Sequence, residues 1–593
     1  MAATLLRRCL AALLALSLAC VAPVHAAGPG AIVALSASRG PDTILPNARH
    51  VTTGGFVNTG SVTRVATGLA RDTHAFYDRY RVSAKSGVTY LQPVFSNCRI
   101  NNATNAGSEL CNPQAVTFDR LSLQYGTSSV AITCGGSRTC VLRPGQELLA
   151  VDRVPASAFG LTQIPASATV YVKGTYKLAT NAAAYTRGQT MRPAAEQVFI
   201  ASSGNYDAIG QVDTLGPFTA PASYNDGTTT WSVQSLPVAT PILMLGEYVD
   251  KSARSLAIFS DSKGFRLGDT GGDGESGGGP YKRAAWTAGL ANATIAIGGY
   301  DAYFYGNNST FQKTLWRYFD ILHIAQGTNG VSNGRTLAQL LADYDRVRGD
   351  FRRAPRGYGR TTIIQSTIST RISAGNTWNG NTTNRATTLA GQTLYNTQAT
   401  DAQGVRTGLG YESGGTRDQL NAWIKANVGV GNGPDIAFDV ASYVDDPSDR
   451  TKFKLGTFST TLKSAATAGA SSFVLTDAPT VGMCLVIEPD GATTAVDPRG
   501  AYTQSEVNSG TAANTTAFNV VSFTGNATSG YTVSLYPLSD PIANGVSAVP
   551  PALNFSHPVN AVAKETTAQD ETHECGRPLL QMATDLAPTY AAQ

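Results

Sequence analysis

Between residues 256 and 438 short apolar runs recur, each stopping at a polar or glycine-rich turn, and the stretches between them carry helical rather than strand periodicity. The runs are Leu256–Phe259, Ala293–Ile297, Ile321–Ile324, Thr362–Ile364 and Ile436–Phe438. Strands buried on both faces read as unbroken apolar runs, and helices alternating with them cover a parallel sheet. The clearest helix candidate is Thr336–Arg348, with Leu337, Leu340, Leu341, Tyr344 and Val347 on one face.

The flanks read differently. Residues 1–26 carry Arg7 and Arg8, an apolar run from Cys9 to Val21 and a small-residue site at Val24-His25-Ala26, which predicts an export signal. Residues 27–245 alternate short β-type runs such as Ala168–Leu178 with Gly, Ser, Asn and Pro turns, the pattern of an all-β domain. Residues 451–550 are rich in Thr, Ala, Gly and Val, with β runs at Ser472–Leu475, Cys484–Ile487, Phe518–Phe523 and Tyr531–Leu535. The expectation is a small β module inserted into the α/β domain, whose first part is 246–450 and whose C-terminal part is 551–593. At roughly 150 residues per domain, 593 residues accommodate such a division.

Charge narrows the partners. Removing the signal takes the formal charge from +4 to +2, too little for capture of nucleic acid or an anionic membrane. Beyond the signal no stretch offers about 18 uninterrupted apolar residues, so no integral membrane anchor is expected. Six cysteines remain, Cys98, Cys111, Cys134, Cys140, Cys484 and Cys575, an even set that favours disulfides in an exported, secreted or periplasmic, chain. Sequence proximity pairs Cys98 with Cys111 and Cys134 with Cys140, which leaves Cys484 with Cys575.

Three turns carry chemistry. Ile258-Phe259-Ser260-Asp261-Ser262 ends a strand on Ser262, at the carboxyl edge where parallel sheets bind ligands. Asp570-Glu571-Thr572-His573 spaces a carboxylate to reach an imidazole, which can then activate a serine hydroxyl. Gly327-Thr328-Asn329, after another strand, offers an amide donor to an oxyanion. Taken alone, each also reads as a helix cap or an Asn-Gly turn. No H-x-x-x-H or C-x-x-C spacing occurs, so neither a metal nor another cofactor is expected.

In this order the blocks resemble the SGNH, or GDSL-type, serine hydrolases. Ser260-Asp261-Ser262 is similar to the first block, Ala293–Gly299 to the second, Gly327-Thr328-Asn329 to the third and Asp570–His573 to the last. The resemblance implies a flavodoxin-like, three-layer α/β/α catalytic domain over roughly 250–450 and 551–593. It implies Ser262 as nucleophile, His573 as base and Asp570 as its orienting acid. An oxyanion hole would be built from the Ser262 and Gly299 N–H groups and the Asn329 amide. Two positions depart from the pattern: Ser260 stands where a glycine is usual, and Gly330 where an aspartate commonly follows the asparagine.

The expected activity is therefore acyl transfer by an exported serine esterase, with an acetyl or similar ester on a polysaccharide as the substrate suggested by the β-rich appendages. Alternatives are a lipase or general short-chain carboxylesterase acting on small acyl esters, and a noncatalytic carbohydrate-binding surface protein. Trp231 and Trp378 are aromatics of the kind that stack on sugars. The glycine-rich loop 264–279 reads as a rim of the site.

Overall fold

A computed structural model describes residues 44–53, 55–57, 73–100, 109–111, 113–178, 223–225, 230–232, 241–264, 279–296, 299–306, 309–357, 359, 361–373, 393–394, 410–470, 472–487, 518–537, 553, 556–566 and 576–593. All five apolar runs form strands of one parallel sheet: β2 (Ser255–Ser260), β3 (Ala291–Ala296), β4 (Ile321–Ala325), β5 (Thr362–Ser366) and β6 (Ile436–Phe438). The sheet order is β6-β5-β4-β2-β3-β1, with β1 (Gly55–Val57) at the edge beside β3.

The period-2 alternation of a strand sends successive β2 residues into different cores. Ala257 and Phe259 join a cluster with Leu340, Tyr344, Val347 and Phe351 of α4 (Leu337–Arg353) and Leu420 and Ile424 of α5 (Thr416–Ala426). Leu256 and Ile258 join another, with Tyr281 and Ala284 of α1 (Pro280–Thr287) and Leu579, Met582 and Leu586 of α6 (Arg577–Ala591). Two shorter helices, α2 (Ala302–Gly306) and α3 (Thr328–Ser332), follow β3 and β4. The predicted α4 begins at a capping box: Thr336 Oγ1 accepts from Gln339 N, and Gln339 Oε1 accepts from Thr336 N at 2.9 Å.

The N-terminal part is β-rich. Thr169–Leu178 lies between Val116–Tyr125 and Thr73–Val82 in one antiparallel sheet, while Tyr90–Phe95 and Leu243–Gly246 pair in another. Disulfides join Cys98 to Cys111 and Cys134 to Cys140. Strand pairing crosses the sequence boundaries at 245 and 550. β1 comes from within 27–245 yet completes the parallel sheet, and Val562–Thr566 belongs to the same antiparallel sheet as Ser459–Thr461, Ser472–Leu475, Cys484–Ile487, Phe518–Asn526 and Gly530–Pro537. Val94, Ile242 and Leu243 share the Phe259 core, so the N-terminal unit is fused to the sheet.

Candidate active site

Register explains why three distant turns meet. Ser260, the last residue of β2, stands opposite Ala296 on β3 and Ala325 on β4, so all three strands end at one level. Ser262, Gly299 and Asn329 lie two, three and four residues beyond that level. Ser262 is buried at 6% exposure, Asn329 is half-buried, and Gly299 is exposed with φ of 75°.

The Asn329 side chain ties the turns together. Its Nδ2 donates to Tyr300 O at 3.0 Å, beside Gly299, and lies 3.5 Å from Asp261 Oδ2, beside Ser262. An amide nitrogen carries two protons. One is committed to Tyr300 O; among the described residues the other has the 3.5 Å contact to Asp261 Oδ2.

Behind Asn329, Gly327 adopts φ of 135°, and a Cβ there would lie 2.1 Å from Ile368 Cδ1 and 2.6 Å from Tyr344 Oη. Only glycine makes this turn. Tyr344 Oη donates to Gln326 O at 2.9 Å, and Gln326 Nε2 donates to Ser260 O at 2.9 Å. The turn after β4 is thereby locked to the end of β2.

The two positions that depart from the resembled pattern, Ser260 and Gly330, each fit closely packed surroundings. Ser260 is fully buried and its Oγ donates to Ala325 O at 2.8 Å, bridging the ends of β2 and β4. Room for it comes from Gly264, where a Cβ would lie 2.2 Å from Ser260 Cβ and Oγ. At Gly330 a Cβ would lie 2.6 Å from Leu340 Cδ2 and 3.0 Å from Asp301 Oδ1. The carboxylate in that space belongs to Asp301, two residues past Gly299. Desolvation pushes its pKa up to about 6, against the Tyr303 N–H and the Arg335 charge, which lower it.

Beside Ser262, Lys263 N donates to Asp261 Oδ1 at 3.0 Å, and Lys263 Nζ donates to the buried Ser369 Oγ just past β5. Sequence reading missed Ser260–Gly264, Gln326, Tyr344, Lys263–Ser369 and Asp301. Only the Gly327 turn carried a local signal.

Asp570, His573 and Cys575 lie outside the described residues, as do Trp378, residues 265–278 and the side chain of Trp231. The flanks of 567–575 are described. Thr566 is the register partner of Cys484, and a Cβ on Gly576 would lie 3.1 Å from Cys484 Sγ. Glu565, at 3% exposure, accepts from Arg577 Nε at 2.5 Å and also from Arg577 Nη2.

Other histidines have different surroundings. His323, at the centre of β4, is fully buried, with Nε2 2.7 Å from Ser366 Oγ and Nδ1 against Tyr590 Oη. Burial lowers its pKa to about 3, so it is neutral at physiological pH. His50 is likewise buried and lowered to about 4, chiefly by desolvation. His557 is buried in the antiparallel sheet unit, its backbone paired with Ala466, and the side chain of His74 lies outside the described residues. Among the described residues no group of three or more His, Cys, Asp or Glu is placed to hold a metal ion, and no helix is long and apolar enough to cross a membrane.

No family model matches the chain, and no curated protein matches it. Solved structures do match in part. A carbohydrate acetylesterase family member from Sinorhizobium meliloti is 14% identical, covering 34% of this chain and 90% of its own, with a TM-score of 0.21. A Corynascus thermopiles (Myceliophthora fergusii) carbohydrate esterase family 2 enzyme plus carbohydrate binding domain is 12% identical over 64% of this chain and 88% of its own, with a TM-score of 0.21. A family two carbohydrate esterase from Clostridium thermocellum, solved in complex with cellohexaose, is 12% identical over 52% of this chain and 74% of its own, with a TM-score of 0.18.

Proposed function

We propose that the protein is an exported serine esterase of SGNH type, with a flavodoxin-like three-layer catalytic domain, that removes acyl groups, acetyl foremost, from a polysaccharide. The observation that carries this reading is the Asn329 amide, bonded beside Gly299 and lying against the neighbour of Ser262, at the carboxyl edge of three adjacent parallel strands. Support for a polymeric substrate comes from the β-rich units joined to the parallel sheet.

In this mechanism His573 takes the Ser262 hydroxyl proton as Oγ attacks the ester carbonyl, and Asp570 orients the imidazole. The tetrahedral oxyanion is held by the Ser262 and Gly299 N–H groups and the second proton of Asn329 Nδ2, which exchanges its long contact with Asp261 for the oxyanion. Collapse expels the sugar hydroxyl with the proton from His573, leaving acyl-Ser262. Water, deprotonated by His573, then releases the carboxylic acid and restores the serine. The Gly327 turn and the Gln326–Ser260 link fix Asn329 beforehand, so its amide does not reorganise when charge develops.

Mature protein is expected to hydrolyse a nitrophenyl acetate, and Ser262→Ala to abolish turnover while leaving the melting transition in place. A folded Ser262→Ala protein that turns over at the wild-type rate removes the nucleophile assignment.

A further inference from the structure

Tyr303 in α2 is the only exposed large aromatic among the described residues, at 38% exposure. Its helix neighbours Ala302, Phe304 and Tyr305 are all buried. A lone exposed aromatic needs no explanation in general, but this one is held in place. The Arg335 guanidinium lies over the ring, 4.4 Å from its centroid, and is itself paired with the buried carboxylate of Asp343. One ring face carries that cation and the Phe304 ring lies 5.9 Å away, centroid to centroid, so a ligand meets the part of the ring that stays exposed.

Its base is tied to the candidate active site. Tyr303 N donates to Asp301 Oδ1 at 3.2 Å, and the Asp301 carboxylate packs against Gly330, next to Asn329. Tyr303 is four residues from Gly299, a separation that spans at most about 14 Å. A short oligosaccharide is long enough to reach across any separation up to that bound.

We infer that Tyr303 is a stacking platform for a pyranose ring of the substrate, a sugar unit removed from the one whose ester is cleaved at Ser262. The ring presents a flat apolar face to the axial C–H groups of a β-linked, all-equatorial sugar, and the Arg335–Asp343 pair orients it before the substrate arrives, which lowers the ordering cost of binding. The platform rests on the proposed function, which supplies both the glycan and the ester cleaved at Ser262.

Two measurements test it separately from that reading. In kinetics, Tyr303→Ala is expected to raise KM for acetylated xylo-oligosaccharide about three- to tenfold more than for nitrophenyl acetate, while Tyr303→Phe keeps the wild-type ratio. Equal effects on both substrates, or a loss in Tyr303→Phe equal to that in Tyr303→Ala, overturn the platform. By calorimetry, the Ser262→Ala protein should bind xylohexaose and the Ser262→Ala/Tyr303→Ala protein should bind it about three- to tenfold more weakly. Unchanged binding, or no binding by either protein, overturns the platform whether or not the wild type proves to be an esterase.

Discussion

Ser260 and Gly264 are a matched pair, since the hydroxymethyl group of one fills the volume that a side chain on the other would need. Gly264→Ala alone should destabilise the protein by about 1–3 kcal/mol through overpacking, measured by chemical denaturation. Adding Ser260→Gly should recover most of that loss, less about 1 kcal/mol for the missing bond to Ala325 O. A double variant no more stable than Gly264→Ala would refute the pairing. Asn329→Ala should lower kcat on nitrophenyl acetate by about 10²- to 10³-fold with little change in KM; an equal rise in KM instead would assign Asn329 to substrate binding. That Ser262, Gly299 and Asn329 follow the ends of adjacent strands was legible in the sequence because each comes after an apolar run, a signal confined to a few neighbouring residues. The Ser260–Gly264 fit and the replacement of a side chain at 330 by the Asp301 carboxylate were not, because both are contacts across turns whose geometry no local pattern records.

Among the elements, β4 carries the polar anomaly, a histidine in the middle of a buried strand. An unfolded imidazole titrates near 6.5, whereas His323 in the fold does so at about 3. Between those values the unfolded chain binds a proton that the folded one refuses, so stability falls as pH is lowered through that window. His50, at about 4, acts in the same direction. Asp301, raised to about 6, acts in the opposite one, losing stability as pH rises from the ordinary carboxylate range. The His323 contribution is therefore read by difference: His323→Gln should lose less melting temperature than wild type between pH 6.5 and 4, and parallel curves would absolve His323. The strands β2 to β6 and helix α4 were legible because an apolar run or a 3.6-residue stripe is repeated several times over. The edge strand β1 was not, since three residues inside a β-rich region hold no mark of which sheet they join.

At the scale of the molecule, the antiparallel sheet that ends in Val562–Thr566 grips both flanks of 567–575. Cys484 pairs in register with Thr566 and touches Gly576, and Glu565 takes the Arg577 guanidinium while also accepting from Thr457 N at 3.2 Å. A Cys484–Cys575 disulfide, proposed from the sequence, would add a third tie; mapping of nonreduced peptides should find it, and either cysteine bonded elsewhere would remove it. Glu565→Gln should cost about 1–3 kcal/mol and reduce kcat more than binding of a substrate analogue; unchanged kcat would detach the clamp from turnover. The Glu565–Arg577 clamp also sets a ceiling on working temperature. With the proposed base on 567–575, two units that share the ends of that segment cannot lose activity independently, so the less stable unit determines when the other stops working. Heating should extinguish hydrolysis at the first of the two melting transitions, even where the parallel sheet that carries Ser262 is still folded.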